Sequence, residues 1–215
     1  MKTRFLALAA VALLASCANE SYPVALHAIC SPPEPESGGG CLYDATCPAT
    51  LAGTAYLDAS PASHPFPNDF ELPIQINNGM PNNADATTGR TNTNDAFIQA
   101  IDLEFHGVGL APVSLPVSFT IPAAGSTSPV LSLVPYAYFP ALQASVGGGG
   151  AFLEIVVSVR GRGITGAQLK FTTPWFQVPV RVCDGCIDPA NLCATGKTLT
   201  GLCPGFGQTA TIKCE

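Results

Sequence analysis

The sequence predicts an all-β protein, an antiparallel β-sandwich with disulfide-rich amino- and carboxy-terminal segments. Three observations lead there. Apolar residues recur with a period of two along several stretches. Helical periodicity is nearly absent. Gly, Asn and Pro clusters separate the stretches at short intervals. A period of two places alternate side chains on opposite faces of a strand, and short strands separated by turn signals point to a sandwich.

The strands follow in order. Phe70, Leu72, Ile74 and Ile76 form one apolar face, ended by Asn77-Asn78-Gly79. From Phe97, the alternation sets Phe97, Gln99, Ile101, Leu103 and Phe105 on one side and Ile98, Ala100, Asp102, Glu104 and His106 on the other. Leu115, Val117, Phe119 and Ile121 make a third face, and Leu131 and Leu133 a short strand. Leu153, Ile155, Val157 and Val159 oppose Glu154, Ser158 and Arg160, with Gly161-Arg162-Gly163 read as a turn. The last strand alternates Phe176, Val178, Val180 and Val182 with Gln177, Pro179 and Arg181. Pro73, Pro116 and Pro179 fall inside strands, where a missing N–H donor confines proline to edges, bulges or outward amides. Only Ala141 to Val146 suggests a helical turn.

Ile76-Asn77-Asn78, the run Phe119 to Ser126 and the strand Leu153 to Val159 resemble the immunoglobulin-like domains of the desiccation-associated (WHy-type) group. The resemblance covers about half the chain and implies a sandwich with no catalytic residues to carry over. The cysteine clusters depart from that group.

Those clusters divide the chain. Residues 51–182, the expected sandwich domain, contain no cysteine. Residues 17–50, a Pro- and Gly-rich tether, carry Cys30, Cys41 and Cys47 behind Cys17; residues 183–215 carry Cys183, Cys186, Cys193, Cys203 and Cys214. In an oxidising compartment these eight are disulfide candidates. Cys183-Asp184-Gly185-Cys186 is a C-x-x-C. Structural disulfides rank first for it, zinc second, and redox activity third, because a thioredoxin-like motif needs a βαβ context.

The amino terminus supplies the reason to expect that compartment. Lys2 and Arg4 precede the unbroken apolar run Phe5 to Leu14, too short to span a bilayer core, which needs about 20 residues. Leu14-Ala15-Ser16-Cys17 then resembles the lipobox of bacterial lipoproteins. The resemblance implies cleavage of residues 1–16 as a signal peptide, acylation of Cys17 and a membrane partner reached through its acyl chains. Ala18 follows the cysteine rather than the aspartate of inner-membrane retention, so the outer membrane of the cell envelope is the expected location. The whole chain also looks like uncharacterised cysteine-rich exported lipoproteins, which imply no activity.

Cleavage removes Lys2 and Arg4, leaving 7 basic residues against 15 acidic and a net charge of −8. That balance argues against a nucleic-acid partner.

Few residues suggest chemistry. His27, His64 and His106 lie in tether, loop and strand end, and no serine sits in a G-x-S-x-G elbow. Gly196-Lys197-Thr198 lacks the earlier glycine of a phosphate loop. The Asn- and Asp-rich stretch 82–95 offers oxygens for Ca²⁺ but lacks the EF-hand pattern, and a polar loop is preferred, with no metal expected. Tyr136 and Tyr138 at strand spacing, with Trp175, are the weak candidates for a binding face, although core packing is the commoner fate of such aromatics. No cofactor is implied.

The favoured reading is a non-enzymatic envelope lipoprotein with a structural or protein-interaction role. The alternatives are a carbohydrate-binding module using those aromatics, or a hydrolase whose site the sequence does not reveal. Exposed aromatics in a flat row favour carbohydrate; a cleft joining histidine, carboxylate and hydroxyl favours hydrolysis.

The lipobox makes a direct prediction. In fractionated cells, Cys17→Ser is expected to leave the membrane fraction, because stable anchoring takes more than one lipid signal and this variant carries none. Equal membrane association of variant and wild type would refute the anchor.

Overall fold

The computed structural model describes residues 22–31, 47, 50, 54–60, 69–147 and 151–186, and the backbone of 199–203 and 211–214. The chain is all-β, as expected, with twelve strands among the described residues: β1 (Val24–Ile29), β2 (Ala55–Asp58), β3 (Phe70–Asn78), β4 (Ala96–His106), β5 (Val113–Ile121), β6 (Gly125–Thr127), β7 (Val130–Val134), β8 (Leu153–Thr165), β9 (Lys170–Thr172), β10 (Phe176–Cys183), β11 (Leu199–Cys203) and β12 (Thr211–Cys214). A 3₁₀ turn, Tyr136–Tyr138, leads into helix α1, Phe139–Val146.

Two sheets face each other. The smaller has the order β1-β3-β6, with β7 also on β3. The larger has the order β2-β10-β8-β4-β5, with β9 on β8. Pairing in both is antiparallel except between β2 and β10, which run parallel with Cys183 opposite Asp58. Phe70, Leu72, Ile74 and Ile76 from β3 meet Ile101, Leu103, Ile155, Val157, Val178 and Val180 in one core. Each such buried side chain contributes about 1.5–3 kcal/mol relative to exposure. Helix α1 turns Phe139, Leu142 and Val146 inward and ends at Gly147, whose left-handed φ of 78° suits a residue without Cβ.

The expected faces of β3, β5, β7, β8 and β10 are present. Strand β4 is corrected. Between Ile98 and Ala100 two residues of β4 step against one of β8, a β-bulge. The bulge shifts the phase of the alternation. Ala96 and Ile98 therefore face inward with Ile101, Leu103 and Phe105, while Phe97 and Gln99 are exposed.

The turn expected at Gly161-Arg162-Gly163 is also corrected, because β8 continues through it to Thr165. Gly163 lies opposite Ile98 at the bulge, where a Cβ would strike the Phe97 carbonyl. Gly163 marks close backbone approach and Gly161 lies against the Ile98 and Thr173 side chains, so neither serves chain reversal. Pro116 sits across from the same bulge, at Ala100 on edge strand β5, as a strand proline should.

Strand β1 pairs with β3, so part of the stretch read as tether is built into the small sheet. β1 begins at Val24 beside Asn78 and is followed by Cys30, whose N–H donates to the Pro73 carbonyl at 2.8 Å. Cys30 is bonded to Cys47, and Cys183 to Cys186. Cys17, Cys41 and Cys193 lie outside the described residues, as do His64 and Gly196-Lys197-Thr198.

These two bonds sharpen the cysteine count. Both initial groups are odd, and after the two described bonds Cys41 stands against Cys193, Cys203 and Cys214. Cys203 pairs with Thr211 and Cys214 with Leu199 in the β11–β12 hairpin. That puts their Cα atoms about 10 Å or more apart, beyond the ~7 Å limit for a disulfide. If all eight pair, Cys41 must join Cys203 or Cys214, and Cys193 the other. Closing a loop of more than 130 residues, such a bond contributes about 4–5 kcal/mol by loop entropy. Non-reducing peptide mapping should recover this cross-link; a Cys203–Cys214 peptide or free Cys41 would contradict it.

Candidate functional site

A sheet in a two-layer sandwich buries one face, and the outer face must carry its own polar satisfaction. On the large sheet that outer face is organised around Asp102 of β4. Register places Asp102 opposite Arg160 of β8 and opposite Ser114 of β5. Arg160 Nη2 donates to Asp102 Oδ2 at 3.0 Å and Arg162 Nε at 2.8 Å. Arg162 Nη2 continues the chain to Ser114 Oγ at 2.9 Å. Partial burial alone would raise the Asp102 pKa, but hydrogen bonds from Arg162, Ser114 and Arg160 outweigh it and hold the carboxyl below its ordinary value.

Trp175, in the link before β10, lies against this network. The Arg160 guanidinium sits 4.2 Å from its ring centroid, in cation–π range. Trp175 remains 37% exposed. Trp175, Arg160, Asp102, Glu104, Pro112 and Ser114 line an open cleft of about 310 Å³, at the small end of the range for ligand sites. Aromatic surface, two guanidinium groups and carboxylate oxygens thus meet on a platform stitched across three strands.

The tyrosine candidates are placed otherwise. Tyr136 and Tyr138 are not on a strand. Pro135, with φ −57°, starts a 3₁₀ turn, and Pro140 occupies the first turn of α1, where its missing N–H costs nothing. Tyr138 packs edge-on against Phe105 at 5.3 Å and donates its hydroxyl to the Ala111 carbonyl. Tyr136 tilts onto Phe139 at 5.1 Å. Both cover the end of the core, and they form no flat row with Trp175.

The arrangement expected of a hydrolase is met only in part. His106 Nε2 lies 2.9 Å from Ser158 Oγ, and His106 also lines a second cleft with Glu154. Ser158 is 4% exposed and lies mid-strand in β8, so its hydroxyl is closed to an attacking geometry. Among the described residues no carboxylate bonds His106. The contact holds β4 to β8.

The Asn- and Asp-rich stretch satisfies itself. The Asp85 carboxylate accepts from Thr87 N–H at 2.9 Å, from Thr87 Oγ1 at 2.6 Å and from Thr88 Oγ1 at 2.9 Å, which lowers its pKa. Asp95 Oδ1 accepts from Asn92 and from the Ala123 N–H. Oxygens turned onto their own loop are the signature of local turn chemistry.

One cluster lies apart. Asp58, fully buried at the end of β2, accepts from the N–H groups of Ser60 and Gly185 at 2.9 and 2.8 Å. Its carboxylate and the sulfurs of Cys183 and Cys186 all lie within 4.8 Å of one another.

No known protein family, no curated protein and no solved structure matches this chain.

Sequence reasoning found Trp175 but missed Asp102, Arg160, Arg162 and Asp58. The alternation showed Asp102 and Arg160 to be polar members of two strands; their meeting depends on register. Asp58 meets Cys183 through a parallel pairing across more than 120 residues.

Asp102 yields a pH prediction. A carboxyl with a depressed folded pKa adds stability above its unfolded pKa and loses it as pH falls through the folded value. Asp102→Asn is expected to cost about 1–2 kcal/mol near neutral pH, discounted for the half-exposed arginines. In denaturant melts the difference should shrink toward zero as pH drops below the carboxylate range; a pH-independent difference would show that the charge contributes nothing.

Proposed function

We propose that the chain is a lipid-anchored, extracytoplasmic envelope protein whose sandwich is a non-enzymatic docking module for a protein partner. The observation that carries this reading is the Trp175–Arg160 stack over Asp102 on the outer face of the large sheet. Tryptophan and arginine dominate binding hot spots because each brings large, rigid contact area with a polar handle. Here Asp102 and Ser114 hold the guanidinium groups in place, so little side-chain freedom remains to be lost on association. The Leu14-Ala15-Ser16-Cys17 resemblance supports the anchor and the envelope location. No helix among the described residues is long and apolar enough to cross a membrane.

Carbohydrate binding is the second reading, favoured by the same half-exposed indole beside hydrogen-bonding oxygens. One experiment separates the two. A photo-reactive side chain at position 114, beside Trp175, is expected to capture a discrete protein adduct in intact cells. The same probe at Ser126, on the opposite sheet, should capture none, and Trp175→Ala should abolish the adduct at 114. Absence of an adduct, with Trp175-dependent binding to envelope glycans, would transfer the site to the carbohydrate reading. Absence of both would remove this face from the function.

A further inference from the structure

We propose that Cys183–Cys186 is a thiol–disulfide exchange site served by Asp58, and that it accepts two electrons from the dithiol of an exported polypeptide. The inference does not need the docking reading but rests on the proposed extracytoplasmic location.

Four observations support it. First, the bond closes a short ring, with a sequence separation of 3, whereas Cys30–Cys47 has 17. Loop-entropy stabilisation grows with the logarithm of ring size, so this disulfide constrains the unfolded chain least. Second, the two sulfurs differ in access: Cys183 is fully buried in β10 while Cys186 is exposed. An attacking thiolate can reach only the outer one. Third, the turn carrying Cys186 is fixed. Gly185 has φ +75° and donates its N–H to Asp58, and Asp184 accepts from Gln143 of α1. Fourth, the fully buried Asp58 carboxyl is within 4.8 Å of both sulfurs. This carboxyl caps the Ser60 and Gly185 N–H groups and so holds the turn, and it also sets an acid beside both sulfurs. In exchange that acid has a use, because a sulfur departing into an apolar end must gain a proton.

The step balances. A thiolate of the donor dithiol forms a bond to Cys186 Sγ, the Cys183–Cys186 bond breaks, and its electron pair goes to Cys183 Sγ. That sulfur takes up a proton through the Asp58 carboxyl. The donor's second thiol, after losing its proton, attacks its own mixed-disulfide sulfur, and Cys186 leaves as a thiolate that protonates in solvent. The donor ends as a disulfide and the site as a dithiol; two electrons and two protons have moved. Among the described residues, the titratable groups near this end are Tyr56 on β2, Arg181 on β10 (paired with Glu154 of β8), Asp184 just after β10 and the exposed His27 on β1. Helix α1 contributes none.

The test uses the full mature protein. It is equilibrated in glutathione redox buffers, quenched in acid, alkylated and peptide-mapped. Cys183–Cys186 should become half-reduced at a reducing strength at least about tenfold lower than Cys30–Cys47. With dithiothreitol as the dithiol, Asp58→Asn should slow its reduction at least about tenfold, and Asp58→Glu should restore most of the rate. The Cys30–Cys47 rate should not change. Should that variant fail to fold, single-cysteine variants decide: Cys183→Ser should hold glutathione on Cys186, and Cys186→Ser should hold none on Cys183. Three results overturn the proposal: equal resistance of the two disulfides, glutathione on Cys183, or stoichiometric Zn²⁺ uptake by the reduced protein with loss of thiol reactivity.

Discussion

Everything in this fold depends on the two sheets burying one face each against the other. The inner faces are almost purely aliphatic, with Phe70 the largest fully buried side chain among them. A sheet has only two faces, and in a two-layer structure the second is wet. The apolar inner face fixes the register, since a one-residue slip would turn every buried side chain outward. The register in turn fixes which polar residues meet outside. Asp102, Arg160 and Ser114 come together because the aliphatic residues beside them, Ile101, Leu103 and Val159, are locked in the core. The polar pairings beside Trp175 are therefore set by the core beneath them.

The bulge at Ile98–Ala100 shows how local an exception to this rule can be. An extra residue in β4 would push half the strand's apolar side chains outward if the phase were continuous. Instead the strand pivots at Gln99, with small residues around the step: Ala100 on β4 and Gly161 and Gly163 on β8. Phe97 is left outside, 37% exposed, as the cost of that pivot. Pro116, unable to donate, lies opposite on the edge strand where the ladder is already interrupted.

The sequence was legible where one physical rule acted alone. The period of two located β3, β5, β7, β8 and β10, because an aliphatic inner face and a polar outer face leave no other pattern. It failed where two rules competed. In β4 the pattern passed through a bulge that no single residue announces. In Tyr136 and Tyr138 a strand-like spacing was overruled by Pro135 and Pro140, which fix φ for a tight turn. Gly161 and Gly163 carried a turn signal but served close approach. The candidate sites were hardest, because Asp102 and Asp58 acquire their partners only through long-range pairing.

The direction of β1 bears on how an anchored molecule would stand. Val24 enters beside Asn78, whose side chain donates to the Asn94 and Ile121 carbonyls; Ala96 and Thr165 lie at that same end. Cys183 and Asp58 lie at the other end, about 40 Å away along the thirteen residues of β8, while Cys30, six residues after Val24, lies about 20 Å along. An acylated Cys17 is seven residues from Val24, a reach of at most about 25 Å. A leash of that length would meet the sandwich at the Asn-rich loop end, and Cys183 and Asp58 would face away from it. Trp175 and Arg160 lie partway along the sheet. In that proposed orientation the exposed Cys186 would be open to soluble polypeptides, while the loop 82–95, whose Asp85 and Asp95 carboxylates already accept hydrogen bonds, would lie nearest the lipid surface.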